Sequence, residues 1–184
     1  MGMDVYGKHA DSVCEHGSRK HLHNSHTEPD VKQWCEGPRG SYFRNNWWWW
    51  RPLWDYCHTV APDLIDDDLW AVCHANSGRG LSAADSRALA ARLRDEIRRG
   101  ATAAVAAERQ AMHAAIPDEP CESCAGTGRR TDHVAERYPH LKQKCNGCGG
   151  TGQRRPTETW YSFDVDNVEK FADFLEHCGG FACH

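Results

Sequence analysis

Aliphatic side chains are scarce in this 184-residue chain, and no stretch approaches the ~20 consecutive apolar residues a membrane helix needs. A membrane span is therefore not expected. Residues Met1 to Lys8 lack an apolar run and a cleavage site, so no secretory signal is expected either. An excess of one charge is missing: the net charge of −4 is mild and selects no partner by itself. G-x-S-x-G and H-E-x-x-H are absent, and Gly78-Arg79-Gly80 lacks the rest of a dinucleotide-binding loop. No paired acid and base stands out, so a non-enzymatic role is preferred. These absences leave a protein expected to be cytoplasmic, of single-domain length with room for a small second module. In that compartment cysteine pairs favour metal over disulfides.

Tryptophan stands in for the missing aliphatics, with eight in all and four in a row at Trp47 to Trp50. The core is expected to be modest and built from aromatics. Pro52 suits a first helical position, and Leu53, Tyr56, Cys57 and Val60 share one face of a helix over 52–60. A second helix is predicted over 64–75, with Asp66 to Asp68 at its positive end. Ser82 caps a third, whose stripe is Leu89, Leu93 and Ile97, and Gly100 stops it. Thr102 to Ala115 is Ala-rich and helical, and Trp160 to Phe163 reads as a short strand. A last helix carries Val165, Val168, Phe171, Phe174, Leu175 and Cys178 on its apolar side. The fold class predicted is a mainly α small domain with short β elements and an inserted β-hairpin zinc ribbon. Residues 1–116 and 157–184 form the mainly helical body, and 117–156 form the ribbon.

Two eight-residue segments share one pattern: Cys121-Glu-Ser-Cys124-Ala-Gly126-Thr-Gly128 and Cys145-Asn-Gly-Cys148-Gly-Gly150-Thr-Gly152. Twenty residues separate Cys124 from Cys145. Four thiolates suit tetrahedral zinc, and two cysteines with two residues between them meet one metal when the chain turns tightly. The glycines accept the positive φ such a turn needs, and backbone N–H groups can then stabilise the sulfurs. A redox C-x-x-C pair is the competing reading, but no thioredoxin-like βαβ context surrounds it. Four cysteines leave no open position, so the zinc expected at Cys121, Cys124, Cys145 and Cys148 is structural.

This doubled C-x-x-C-x-G-x-G pattern resembles the cysteine-rich region of DnaJ-type co-chaperones, which carries four such repeats and two zincs. The resemblance covers about 32 residues. It implies a zinc hairpin; the His-Pro-Asp signature of a J domain is absent, so it does not imply co-chaperone activity. The segment is also basic: residues 121–155 hold seven Lys/Arg against three acids, a net of +4 that leaves −8 for the rest. Arg129, Arg130, Lys142, Lys144, Arg154 and Arg155 are the candidate contacts for a host protein or nucleic acid.

Two other regions invite function. Residues 9–40 are polar and read as a loop insertion, in which Cys14, His16, His21, His23, His26 and Cys35 crowd together as ligands for a second metal. From Tyr42 to Tyr56, aromatic faces alternate with Arg44, Asn45, Asn46 and Arg51, a mixture able to stack on a nucleotide-like ring and hydrogen-bond its edge. The tryptophans there are expected in the core, leaving those four side chains as the candidate ligand site.

Met3-Asp-Val-Tyr-Gly-Lys8, Tyr42-Phe-Arg-Asn-Asn46, Trp49-Trp-Arg-Pro-Leu-Trp54, Phe163-Asp-Val-Asp-Asn-Val168 and Gly179-Gly-Phe181 together resemble a small family of uncharacterised bacterial and phage proteins. The resemblance covers roughly half the chain and carries over no catalytic residue. It implies that the His/Cys loop and the ribbon are two insertions into one core. Three readings follow. The first is a zinc-binding interaction protein of bacterial or phage origin that contacts a host macromolecule through its basic ribbon. The second is a small-molecule binder using the Trp/Arg/Asn block. The third is a nucleic-acid-binding accessory protein.

Overall fold

The computed structural model describes residues 2–10, 39–138 and 143–184. In chain order its elements are β1 (Gly2–Gly7), β2 (Tyr42–Asn46), α1 (Trp47–Val60), α2 (Asp67–Cys73), α3 (Ala83–Arg98) and α4 (Ala101–Ala115). There follow β3 (Glu119–Pro120), α5 (His133–Arg137), β4 (Gln153–Arg154), α6 (Val165–His177) and β5 (Phe181–Cys183). The chain is mainly helical with small sheets. It divides into two compact units, Met1–Ala107 with Ser162–His184, and Glu108–Tyr161.

In the first unit, β1 lies between β2 and β5, antiparallel to both. Side chains alternate across the sheet as the pleat requires. Met3, Val5, Phe43, Phe181 and Cys183 are buried, while Tyr6, Tyr42, Arg44 and Asn46 face outward. Sequence periodicity gives no sign of this sheet, because its strands are short and drawn from distant parts of the chain.

Strand β2 runs directly into α1. The turning point is Asn46, whose side chain accepts from the Trp49 backbone N–H at 3.0 Å. The helix therefore starts at Trp47, five residues earlier than Pro52 suggests, and Pro52 is held inside it. Two buried indoles offset that break. Trp50 and Trp54, one turn apart, stack with centroids 5.4 Å apart. Their N–H groups donate to the Cys73 and Trp70 carbonyls of α2, each at 3.2 Å. The Trp block is thus divided: Trp50 and Trp54 are core, and Trp47 to Trp49 are half-buried.

Side-chain caps also start α2, α3 and α6. Asp66 accepts from Leu69 N at 2.7 Å, Ser82 from Asp85 N at 3.2 Å and Asp164 from Asn167 N at 2.8 Å. Leu89 and Leu93 of α3 are fully buried, as are Val168, Phe171 and Leu175 of α6, and these two helices pack along each other. Phe43, Phe171, Phe174 and Phe181 form a ring cluster with Trp50 and Trp54 beside it. The expected strand over 160–163 is not formed. Thr157–Trp160 is a 3-10 turn led by Pro156, whose fixed φ suits that entry.

In the second unit, β3 and β4 pair antiparallel, Glu119 opposite Arg154 and Pro120 opposite Gln153. Arg155 closes the end of α4 by donating to the Ile116 carbonyl at 2.7 Å, to the His113 carbonyl and to Asp118 at 2.9 Å.

Candidate metal centre

The two cysteine segments are related by a shift of 24 residues, which carries Cys121 onto Cys145 and Gly128 onto Gly152. Their contacts obey the same shift. Cys121 N donates to Gly152 O at 2.8 Å, and Cys145 N donates to Gly128 O at 2.9 Å. Thr127 Oγ1 donates to Cys124 O at 2.7 Å, and Thr151 Oγ1 to Cys148 O at 3.0 Å. The strand pair Pro120–Gln153 on one side is matched by the bridge Arg129–Lys144 on the other. Each half therefore closes the other, around a local two-fold axis.

Gly128 and Gly152 make this closure possible. Both have positive φ, +71° and +79°. A Cβ at Gly128 would lie 2.4 Å from Gly150 O, and one at Gly152 would lie 2.3 Å from Gly126 O. Each also donates its N–H to a sulfur, Gly128 to Cys124 at 3.3 Å and Gly152 to Cys148 at 3.2 Å. Such donors stabilise thiolate charge.

The four sulfurs all lie within 4.8 Å of one another. Cys121 and Cys145 are 3.9 Å apart, and Cys124 and Cys148 are 3.8 Å apart. Those separations exceed the ~2.05 Å of a disulfide, and all four cysteines are free thiols. They match a tetrahedron of thiolates at about 2.3 Å from a central ion, whose edges are about 3.8 Å. Cys121, Cys124 and Cys145 are buried and Cys148 is partly exposed. Burial pushes the Cys145 thiol up to about 11. Burial also opposes ionisation at Cys148, but the N–H groups of Gly152 and Gly150 and the neighbouring thiols outweigh it and bring that group down to about 6. The cluster can hold a metal ion.

The basic residues near this centre fall into two groups. Arg130 pairs with Asp132 at 2.6 Å, Arg154 with Glu122 at 3.4 Å and Arg155 with Asp118 at 2.9 Å. Arg129 and Lys144 are exposed and directly opposite each other. Lys142 lies outside the described residues, as do Cys14, His16, His21, His23, His26 and Cys35.

The structure does not gather Arg44, Asn45, Asn46 and Arg51. Arg44 is exposed on the outer face of the sheet, 3.9 Å from Asp4. Asn45 points inward and donates to Asn167 Oδ1 at 3.0 Å. Asn46 caps α1, and the Arg51 guanidinium sits 3.9 Å over the Trp47 ring. Sequence reasoning missed a different feature, a row of rings on the outer sheet face. Tyr42 and Tyr6 are cross-strand partners with centroids 5.2 Å apart, and His184 follows at 5.8 Å. Strand alternation would have disclosed it only once the pairing was known. Asp173, Glu176 and His177 also lie close enough to hold an ion. Arg39 pairs with Asp173 and Arg94 with Glu176, so these acids already have cationic partners.

No helix among the described residues is long and apolar enough to cross a membrane. No protein-family profile, curated protein or solved structure matches the chain.

Proposed function

We propose that Cys121, Cys124, Cys145 and Cys148 bind one structural zinc ion, and that the ribbon so formed presents a surface to a macromolecular partner. One observation carries the reading: four sulfurs at tetrahedral separations, with two glycine N–H groups already aimed at them. Zinc suits this donor set because thiolates favour it and it needs no redox change. When bound it supplies a cross-link. The chain's own residues do the rest: Gly128 and Gly152 orient the sulfurs, and Cys121 N and Cys145 N lock each half onto the other.

The protein is a non-enzymatic interaction protein, of bacterial or phage origin, acting in the cytoplasm. Its ribbon is an insertion into the helical body; the paired entry and exit at Glu119 and Arg154 support that reading, because they leave the chain where it began. A nucleotide-like ligand at Arg44, Asn45, Asn46 and Arg51 has less support, since those side chains are turned to separate tasks.

Native mass spectrometry of the purified chain tests the metal reading. One zinc per chain is expected, lost on chelation together with the order of residues 119–138 and 143–154. A metal-free chain in which those residues keep their fold would overturn it.

A further inference from the structure

The internal repeat offers a control for its own charges. One position of the 24-residue repeat carries arginine in both halves, as Arg130 and Arg154, and each is neutralised by a carboxylate of the same unit. The neighbouring cross-strand pair differs between halves. On one side it is Pro120 opposite Gln153, uncharged; on the other it is Arg129 opposite Lys144. The fold therefore forms that pair without charge in one copy of itself.

The backbone bonds flanking Arg129 and Lys144, Cys145 N to Gly128 O and Arg130 N to Gln143 O at 2.8 Å, make them a non-hydrogen-bonded pair. That is the class in which opposing side chains come closest. Like charges directly opposite each other are destabilising. Both side chains are exposed, and no carboxylate among the described residues pairs with either. A third cation, Arg137, lies 5.7 Å over the exposed ring of Tyr138. Gln143, next to Lys144, donates to the Tyr138 carbonyl at 3.2 Å, so ring and cations belong to one end of the ribbon.

A partner for this end must bring negative charge. Acidic proteins bring it too, but stable protein interfaces centre on apolar and aromatic anchors. Among the described residues 119–138 and 143–154, Tyr138 is the one large exposed hydrophobic side chain. A single-stranded nucleic acid supplies both spaced phosphates and a flat face to meet an exposed ring. We infer that Arg129, Lys144 and Arg137 bind the phosphates of a single-stranded nucleic acid, with Tyr138 as a stacking position. This rests on the ribbon reading and names the class of its partner.

The test is fluorescence anisotropy of a labelled mixed-sequence DNA 20-mer with the full chain, between 50 and 200 mM salt. Three phosphate contacts weaken binding about 20-fold over that range, and the Arg129→Gln/Lys144→Gln double variant reduces the loss to about threefold. The charge-keeping exchange Arg129→Lys/Lys144→Arg restores the wild-type dependence, which separates charge from folding. Unchanged salt dependence in the double variant would overturn the inference. So would an oligoglutamate of equal charge that binds as tightly as the DNA, which points to an acidic protein. Zinc is counted on the same samples. A zinc-replete chain that ignores the DNA overturns the inference alone. Binding as expected by a chain without zinc overturns the metal reading alone, and a chain with neither overturns both.

Discussion

The body and the cysteine segment are closed by different physics. In the body, aromatic and aliphatic side chains from α1, α3, α6 and the sheet share one continuous buried cluster. In the segment the buried cluster is Cys121, Cys124 and Cys145, with Cys148 packed against it. Apolar burial spreads stability over many contacts, none decisive. The segment has almost nothing apolar to hide, so its closure falls on four sulfurs and a few backbone hydrogen bonds. A chain of this kind would be ordered by the ion proposed to bind there, and its binding free energy would then be folding free energy.

The sharpest way to break the contrast is to remove a ligand. Cys145→Ser should abolish tight zinc binding, a loss on the order of the ~10 kcal/mol that structural zinc supplies. Amide NMR signals from 119–138 and 143–154 should collapse while those of Phe171 and Phe181 persist. If the body signals collapse as well, the two units are not independent. The converse variant, Trp54→Ala, removes a fully buried ring and the bond to Trp70 O. It should lower the body's stability by about 3–5 kcal/mol in urea unfolding, with zinc content unchanged. A smaller effect is expected at the closure itself. Gly152→Ala puts a Cβ against Gly126 O and should weaken zinc affinity in a chelator competition by about 2 kcal/mol, roughly 30-fold. Gly149→Ala should change affinity least, by under about 1 kcal/mol. Its φ is also positive, at +61°, but no atom lies within 4 Å of the added Cβ. Its counterpart in the other half, Ala125, already adopts φ 48°.

What was legible in the sequence follows the range of the forces involved. Ligand type, spacing and glycine positions are local, so Cys121 to Gly128 and Cys145 to Gly152 declare the metal cluster on reading. Caps are local too, and Ser82 was found for that reason. The sheet was not, because β1 takes its partners from 42–46 and 181–183. Nor was the start of α1, because Pro52 fits a first helical position but its actual place is inside a helix capped by Asn46. The fates of Arg44, Asn45 and Arg51 depend on what packs beside them. Net charge is likewise a coarse guide. Counting seven Lys/Arg in 121–155 does not reveal that Arg130, Arg154 and Arg155 already have carboxylate partners.

The cross-bonded halves have a topological consequence. A protease cut after Arg137 would separate the two cysteine pairs along the chain, yet each half would still hold the other through Cys121 N–Gly152 O, Cys145 N–Gly128 O and, once bound, the proposed zinc. The severed pieces would travel as one particle until a chelator freed them. With the proposed zinc bound, continuity of this part of the molecule would be carried by coordination, and the peptide bond after Arg137 would be dispensable to it.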